Sequence, residues 1–274
     1  MRRNAWPNAY ARSWGGSMTE ANLVLVRHGQ SEWNRDRRMT GWSDVALNDR
    51  GRSEARAVGR MLVDAGCRFD LAYTSWLQRA DETLRLVLEE LKQTDLPVCH
   101  RWRLNERHYG VMQGMSRQQA AREFGLRQFA SWQSGYEQRP PAVEDSDPRN
   151  PAKDPRYASL PAECLPRAES MRDTLQRVLP CWNEEIAPAL ASGKRVLVVA
   201  HKTSVRVLRQ QLEGISDAEI SALTVKTGEP LVYGLGADLQ VVWQKSLNPS
   251  GRIKRLAQAV LARWIHQGEP EKTV

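Results

Sequence analysis

Two histidines and two arginines stand where phosphoryl chemistry could use them. Arg27 and His28 directly follow the apolar run Leu23-Val24-Leu25-Val26 and precede Gly29; His201 directly follows a second run, Val196-Leu197-Val198-Val199-Ala200. Arg79 lies four residues after Ser75, where a periodic stretch begins. A neutral imidazole nitrogen can attack phosphorus, and a guanidinium presents a fixed fork of donors to phosphate oxygens. Phosphoryl transfer needs charge stabilised around three oxygens more than it needs help in making bonds. Taken singly, each residue has a plain reading: a solvated arginine or a hydrogen-bonded structural histidine. Two histidines in one setting, with two arginines in matching settings, point to one shared anion site.

The elements that must position these residues follow from pattern. Short runs of β-branched residues bounded by polar ones read as fully buried strands, whose carboxyl ends are where open α/β sheets hold ligands. Residues 48–66 read as a helix with Ala55, Val58, Leu62 and Ala65 on one face and Gly66 as its stop. Asp70 to Tyr73 is a short strand, and Ser75-Trp76-Leu77-Gln78 fits a capping box opening a helix with Ala80, Leu84, Val87, Leu88 and Leu91 on its core stripe. An arginine in that first turn adds to the anion preference of a helix start. Leu104-Asn105-Glu106-Arg107-His108-Tyr109-Gly110 suits a loop fenced by glycine. Seven of the 14 prolines lie between Pro140 and Pro166, so residues 131–166 predict an irregular excursion, ordered over the pocket. Met171, Leu175, Val178, Leu179 and Trp182 mark a helix ended by Pro188; Thr203 or Ser204 could cap a helix carrying Val205, Leu208 and Leu212. Strands alternating with amphipathic helices predict an α/β fold, a three-layer α/β/α sandwich with a mostly parallel central sheet.

Composition narrows the class. The chain has 274 residues, 41% hydrophobic, with a formal charge of +8; its mean hydropathy is −0.58 and its pI near 9.6. No run approaches the ~18 apolar residues of a membrane span. Basic residues are scattered among acidic ones, which fits a basic pocket for a small anion better than a nucleic-acid surface. Cys67, Cys99, Cys164 and Cys181 are widely separated, with no metal spacing, so free thiols, a reducing compartment such as the cytoplasm and no metal site are expected. Residues 1–20 read as an N-terminal extension, disordered, with a second candidate start at Met18; 21–248 as the catalytic domain; 249–274 as a C-terminal amphipathic helix or tail carrying Ile253, Leu256, Val260 and Trp264. There is no internal repeat, Walker loop, GxGxxG or GxSxG.

The run Arg27-His28-Gly29-Gln30-Ser31-Glu32-Trp33-Asn34, then Thr40-Gly41-Trp42, Ser75-x-x-x-Arg79-Ala80, the heptapeptide ending at Gly110, Asp154-Pro155-Arg156-Tyr157 and Thr227-Gly228-x-Pro230 resemble the histidine phosphatase superfamily and, within it, the 2,3-bisphosphoglycerate-dependent phosphoglycerate mutase family. The resemblance runs from about Leu23 to about Tyr233. It implies a phosphohistidine on His28, phosphate held by Arg27, Arg79 and His201, and Glu106 as general acid and base. It implies substrate contacts from Ser31, Asn34, Thr40, Gly41, Arg107, Tyr109 and Arg117, with His108 supporting the loop. It further implies interconversion of 3-phosphoglycerate and 2-phosphoglycerate in glycolysis and gluconeogenesis, 2,3-bisphosphoglycerate as the priming cofactor, and a homodimer.

The chain departs from that family at two places. Gln133-Ser134 stands where the family has an Arg-Arg pair, and Lys202-Thr203 where it has Gly-Asn. These four are counted as candidate substrate contacts. The catalytic set is intact and the recognition set altered, so three readings follow in order: the mutase, a histidine phosphatase hydrolysing another phosphorylated metabolite, and a non-catalytic anion-binding relative. No nucleic acid or stable membrane attachment is expected.

Overall fold

The computed structural model describes residues 22–247; the expectations for residues 1–20, for Met18 as a start and for the C-terminal helix lie outside them. The first apolar run forms strand β1, Leu23–Arg27, and a four-residue helix α1, Glu32–Arg35, follows. Next come α2, Asp49–Asp64, β2, Leu71–Thr74, α3, Gln78–Leu91, and β3, Val98–His100. Helices α4, Arg117–Phe124, and α5, Leu126–Ser134, precede the proline-rich segment. The chain then runs through α6, Met171–Cys181, a π turn at Trp182–Ile186 and α7, Ala187–Ala191. It closes with β4, Val196–Ala200, α8, Lys202–Glu213, β5, Leu231–Leu235, and β6, Val241–Ser246.

The six strands form one sheet in the order β3-β2-β4-β1-β5-β6. The first four pair in parallel, and β5 and β6 are antiparallel additions at one edge. Side chains alternate between the faces of a strand, and here both faces are apolar. Leu23, Leu25, Val196 and Val198 share one core with α6 and α8, whereas Val24, Val26, Leu197 and Val199 share another with α2 and α3. Helices therefore cover both faces, which is why the strands read as unbroken hydrophobic runs.

Several local expectations change. Ala65 is exposed, since α2 ends one residue before it. Ser75 forms no capping box: the N-cap of α3 is Leu77, without a side-chain bond, and the Ser75 hydroxyl serves His201. Pro188 does not end a helix; it sits in the first turn of α7, where a missing N–H costs little. Thr203 and Ser204 lie inside α8, whose N-cap is His201. Ser131 to Ser134 end α5, so the irregular segment begins later than expected. Beyond Gln133 and Ser134, none of residues 131–166 lines the pocket. Tyr157, from one of its three short 3₁₀ turns, is buried against Trp42 and Trp76, with ring centroids 5.0 and 5.3 Å apart. Arg149 donates to the carbonyls of Val111 and Gln113. The excursion thus buttresses the loop after β3.

Candidate active site

β1 and β4 are neighbours, with Arg27 opposite Ala200, and the His28 N–H extends the ladder by donating to the Ala200 carbonyl at 2.9 Å. Two adjacent parallel strands therefore deliver His28 and His201 side by side, ring centroids 4.9 Å apart at an interplanar angle of 58°. His28 Nδ1 lies 2.7 Å from the Gly29 carbonyl. A carbonyl only accepts, so Nδ1 carries the hydrogen and Nε2 keeps its lone pair. Burial first, then the charges of Arg79 and Arg27, hold His28 well below the usual imidazole range. It is neutral and bare at Nε2 at neutral pH.

His201 is fully buried, and its Nε2 lies 2.7 Å from Ser75 Oγ. Burial, then the Arg79 charge and the neighbouring His28, keep it neutral as well. The Ser75 oxygen also accepts from the Leu77 N–H; with the Ser75 hydrogen given to His201 Nε2, the imidazole proton is on Nδ1. That Nδ1 has no partner among the described residues.

Arg79 comes from the first turn of α3 and is 1% exposed. It donates to the carbonyls of Ser43 and Gly41 at 2.9 and 2.7 Å, while its Nε is unpartnered. Burial pulls this guanidinium down to about 10, still cationic at neutral pH. Gly41 is required beside it: its φ is +55° and a Cβ there would lie 1.9 Å from the Gln113 side-chain oxygen. Thr83 ties the two elements together, accepting from the Gly29 N–H and donating to the Arg79 carbonyl. Arg27 is anchored through the Val225 carbonyl at 2.9 Å, again with Nε unpartnered.

Glu106 is buried with Oε1 accepting from its neighbour Arg107 N–H at 2.8 Å and from the Thr203 N–H of α8 at 3.1 Å. Burial alone would raise its pKa. The two backbone donors, with Arg79 and Arg27 nearby, outweigh it and leave the carboxyl below its ordinary value. The backbone around it is held from behind by Arg177, whose five N–H groups reach both Glu169 oxygens and the carbonyls of Arg103, Asn105 and Glu106. Glu169 also accepts the His108 N–H. His108 accepts from the Gly110 N–H, and burial pulls its pKa down to about 3, so it is a neutral brace of the loop.

These groups open on a cavity of about 580 Å³. Of the expected site residues it is lined by Arg27, His28, Asn34, Thr40, Gly41, Arg79, Glu106, Arg107, Tyr109, Arg117, Gln133, Ser134, Lys202 and Thr203. Two do not line it: His201 packs against His28, and Ser31 is a helix cap, its hydroxyl accepting from the Asn34 N–H while the Asn34 side chain accepts from the Ser31 N–H. Ser75, Thr83, Glu169 and Arg177 were missed as functional supports, as were the lining residues Arg37, Arg38, Met39, Arg206 and Ser221. Only Arg206 left a usable trace, four residues after Lys202 and so on the same helical face. Eight cationic side chains and one carboxylate line the cavity. Such a site suits a phosphoryl group with a nucleophile beneath it and a proton-transfer group beside it. Among the described residues, no cluster of three or more His, Cys, Asp or Glu could hold a metal ion, and no helix is long and apolar enough to cross a membrane.

Comparison with known proteins agrees with this geometry. The model of the histidine phosphatase superfamily (branch 1) matches residues 23–149 and 147–237. Among solved structures, mycobacterial glucosyl-3-phosphoglycerate phosphatase in complex with VO3 superposes with a TM-score of 0.61 at 24% identity, covering 83% of this chain and 97% of the other. A putative alpha-ribazole-5'-P phosphatase from Escherichia coli gives 0.61 at 23%, covering 82% and 95%. A structure named mycobacterial hydrolase 2 gives 0.61 at 26%, covering 88% and 97%.

Proposed function

Because the chain belongs to the histidine phosphatase superfamily, we propose that it is a phosphatase of small phosphomonoesters that works through a phosphohistidine on His28. The observation that carries this reading is the bare Nε2 of a neutral His28, fixed by the Gly29 carbonyl and flanked by Arg27, Arg79 and His201. In the first step Nε2 attacks phosphorus, the bond from phosphorus to the ester oxygen breaks, and Glu106 gives that oxygen a proton. Glu106 is ionised in the empty site, so the proton arrives with the monoanion of the substrate, whose second phosphate pKa is about 6. In the second step Glu106 takes a proton from water, the water oxygen bonds to phosphorus, and the pair of the P–N bond returns to Nε2. Arg27, Arg79 and the Nδ1 hydrogen of His201 stabilise the three equatorial oxygens, each donor contributing about 3–4 kcal/mol if well aimed.

The structural neighbours named as phosphatases support hydrolysis over mutation of position, as does the absence of cations at Gln133-Ser134. The mutase primed by 2,3-bisphosphoglycerate remains the second reading, favoured by the cationic lining that extends beyond the phosphoryl site. One assay separates them: the full chain is given 3-phosphoglycerate with a trace of 2,3-bisphosphoglycerate. Release of inorganic phosphate without 2-phosphoglycerate supports the phosphatase, and 2-phosphoglycerate formation overturns it. In either case His28→Ala should lower turnover by at least about 10⁴-fold and abolish an acid-labile, base-stable phosphoenzyme.

A further inference from the structure

The cavity is strongly cationic, and α5 contributes only neutral side chains to it. On the α5 wall Gln133 is neutral and donates to Met39 Sδ at 3.7 Å, and the Ser134 hydroxyl is used up on the Ala130 carbonyl. Cations enter from α8, from α4, from the Glu106 loop and from Arg37-Arg38 beside Met39. Lys202 begins α8, one residue after His201, and lines the cavity half-buried; it makes no ion pair or hydrogen bond among the described residues. Arg206 sits one turn further on the same face, tethered to the Leu223 carbonyl at 2.7 Å, and Arg117 stands at the rim from the first residue of α4. Arg107 is 2% exposed, with its guanidinium carbon 4.6 Å above the Tyr109 ring, and its Nε and Nη1 have no partner.

A buried guanidinium with two idle donors is costly unless something arrives to use them. The phosphoryl group occupies Arg27, Arg79 and the two imidazoles, so Arg107 and Lys202 are left for a different group. The like charges of Arg206, Arg27 and Arg117 press on Lys202, and burial with this crowding pulls its ammonium down to about 8. Glu106 is the opposing charge nearby, and two backbone donors already engage it.

We propose that the substrate carries a second anionic group, a carboxylate or a second phosphate, and that Lys202 with Arg107 and Arg117 holds it on the α8 side of the cavity, making Lys202 the residue that sets specificity. The proposal rests on the reading that the phosphoryl group docks on His28. It names the substrate class of that site: a short phosphomonoester with a second anionic group.

The test uses three probes of similar length on the full chain: glycerol 3-phosphate, 3-phosphoglycerate and propane-1,3-diol bisphosphate. The wild-type protein should release phosphate from at least one of the two doubly anionic probes with kcat/KM at least tenfold above glycerol 3-phosphate, and the better probe identifies the group. Lys202→Gln should lose about 10–100-fold of that preference, the worth of one charge-assisted contact, and Lys202→Arg should keep most of it. Above about pH 8 the wild-type preference should decline as the ammonium deprotonates, whereas in Lys202→Gln it should be flat from pH 7 to 9. That arm keeps the proposal testable if a variant fails to fold. Equal selectivity in wild type and Lys202→Gln, or no preference for a second anion, overturns it. Calorimetric binding of the same probes to His28→Ala protein separates the two readings. Lys202-dependent anion preference in binding without turnover by the wild type supports this site and overturns the phosphatase.

Discussion

Arg177 does not itself line the cavity, yet its removal should be among the most damaging single changes. The residue is 9% exposed, and its guanidinium makes five hydrogen bonds, two to Glu169 at 2.6 and 2.9 Å and three to backbone carbonyls, one of them Glu106's own. Arg177→Met leaves the buried Glu169 carboxylate without its cation and three carbonyls without donors. Breaking a buried pair from one side costs about 3–5 kcal/mol, a large share of the ~5–15 kcal/mol that holds a typical domain folded. With a urea slope of about 3 kcal/mol per M, reasonable for a chain of this size, the unfolding midpoint should fall by roughly 1–2 M. Mutating both partners to methionine should not restore stability, because the carbonyls and the His108 N–H would still lack partners. Activity should fall too, and in kcat more than in KM, because what loosens is the backbone that aims Glu106. Measured without urea on protein shown to be folded by circular dichroism, kcat on an alkyl phosphate should drop at least about tenfold. A midpoint within experimental error of wild type, with kcat unchanged, would refute the claim that this pair positions the loop.

Three further outcomes are expected. Ser75→Ala should strand the buried Nε2 of His201, costing about 1–3 kcal/mol in stability and at least about tenfold in kcat; Ser75→Thr should rescue both, and imidazole nitrogen shifts should report the lost tautomer. Gly110→Ala should lower the melting temperature by at least about 5 °C, because φ is +57° and the new Cβ would lie 1.9 Å from the Pro141 carbonyl oxygen. Glu106→Gln should lose about 10²–10⁴-fold in kcat/KM on alkyl phosphates and under about tenfold in kcat/KM on p-nitrophenyl phosphate, whose leaving group needs no proton, while kcat falls on both because water must still be activated. With Glu106 held below its ordinary value, wild-type kcat/KM on alkyl phosphates should fall as pH rises past about 6, where the substrate loses the proton it must bring.

The sheet was legible because buried strands announce themselves as runs of Val and Leu, and two of them carry the two histidines. Their adjacency was not written in either run. It comes from β4 inserting between β1 and β2, a choice of topology that depends on which apolar faces the helices cover. The weaker elements were missed for local reasons. β3 has only three residues, none fully buried, so it has no hydrophobic signal, and α4 and α5 are short helices whose single buried residues, Ala120 and Phe129, make no stripe. Ser75 was misread as a cap because a Ser-x-x-Gln spacing fits that role equally well; a histidine 126 residues away claimed its hydroxyl instead.

Within the site, the residues that would do chemistry were readable and those that hold them were not, and the difference is physical. A nucleophile or a phosphate-binding arginine must be a particular residue type at a particular element end, so it leaves a mark in the local sequence. A brace such as Arg177 needs only to reach the right carbonyls, and from α6 it does so across more than 70 residues of chain. Specificity lies between these extremes. Lys202 and the Gln133-Ser134 pair stand out in the sequence as departures, but their meaning depends on lining the same cavity. A cation at the start of α8, with neutral side chains at the end of α5, sets where a second anion can rest without altering the phosphoryl site. A site can thereby keep its chemistry and change its substrate through residues that never touch the reacting phosphorus, and for this chain Lys202 is where that shift is most directly measured.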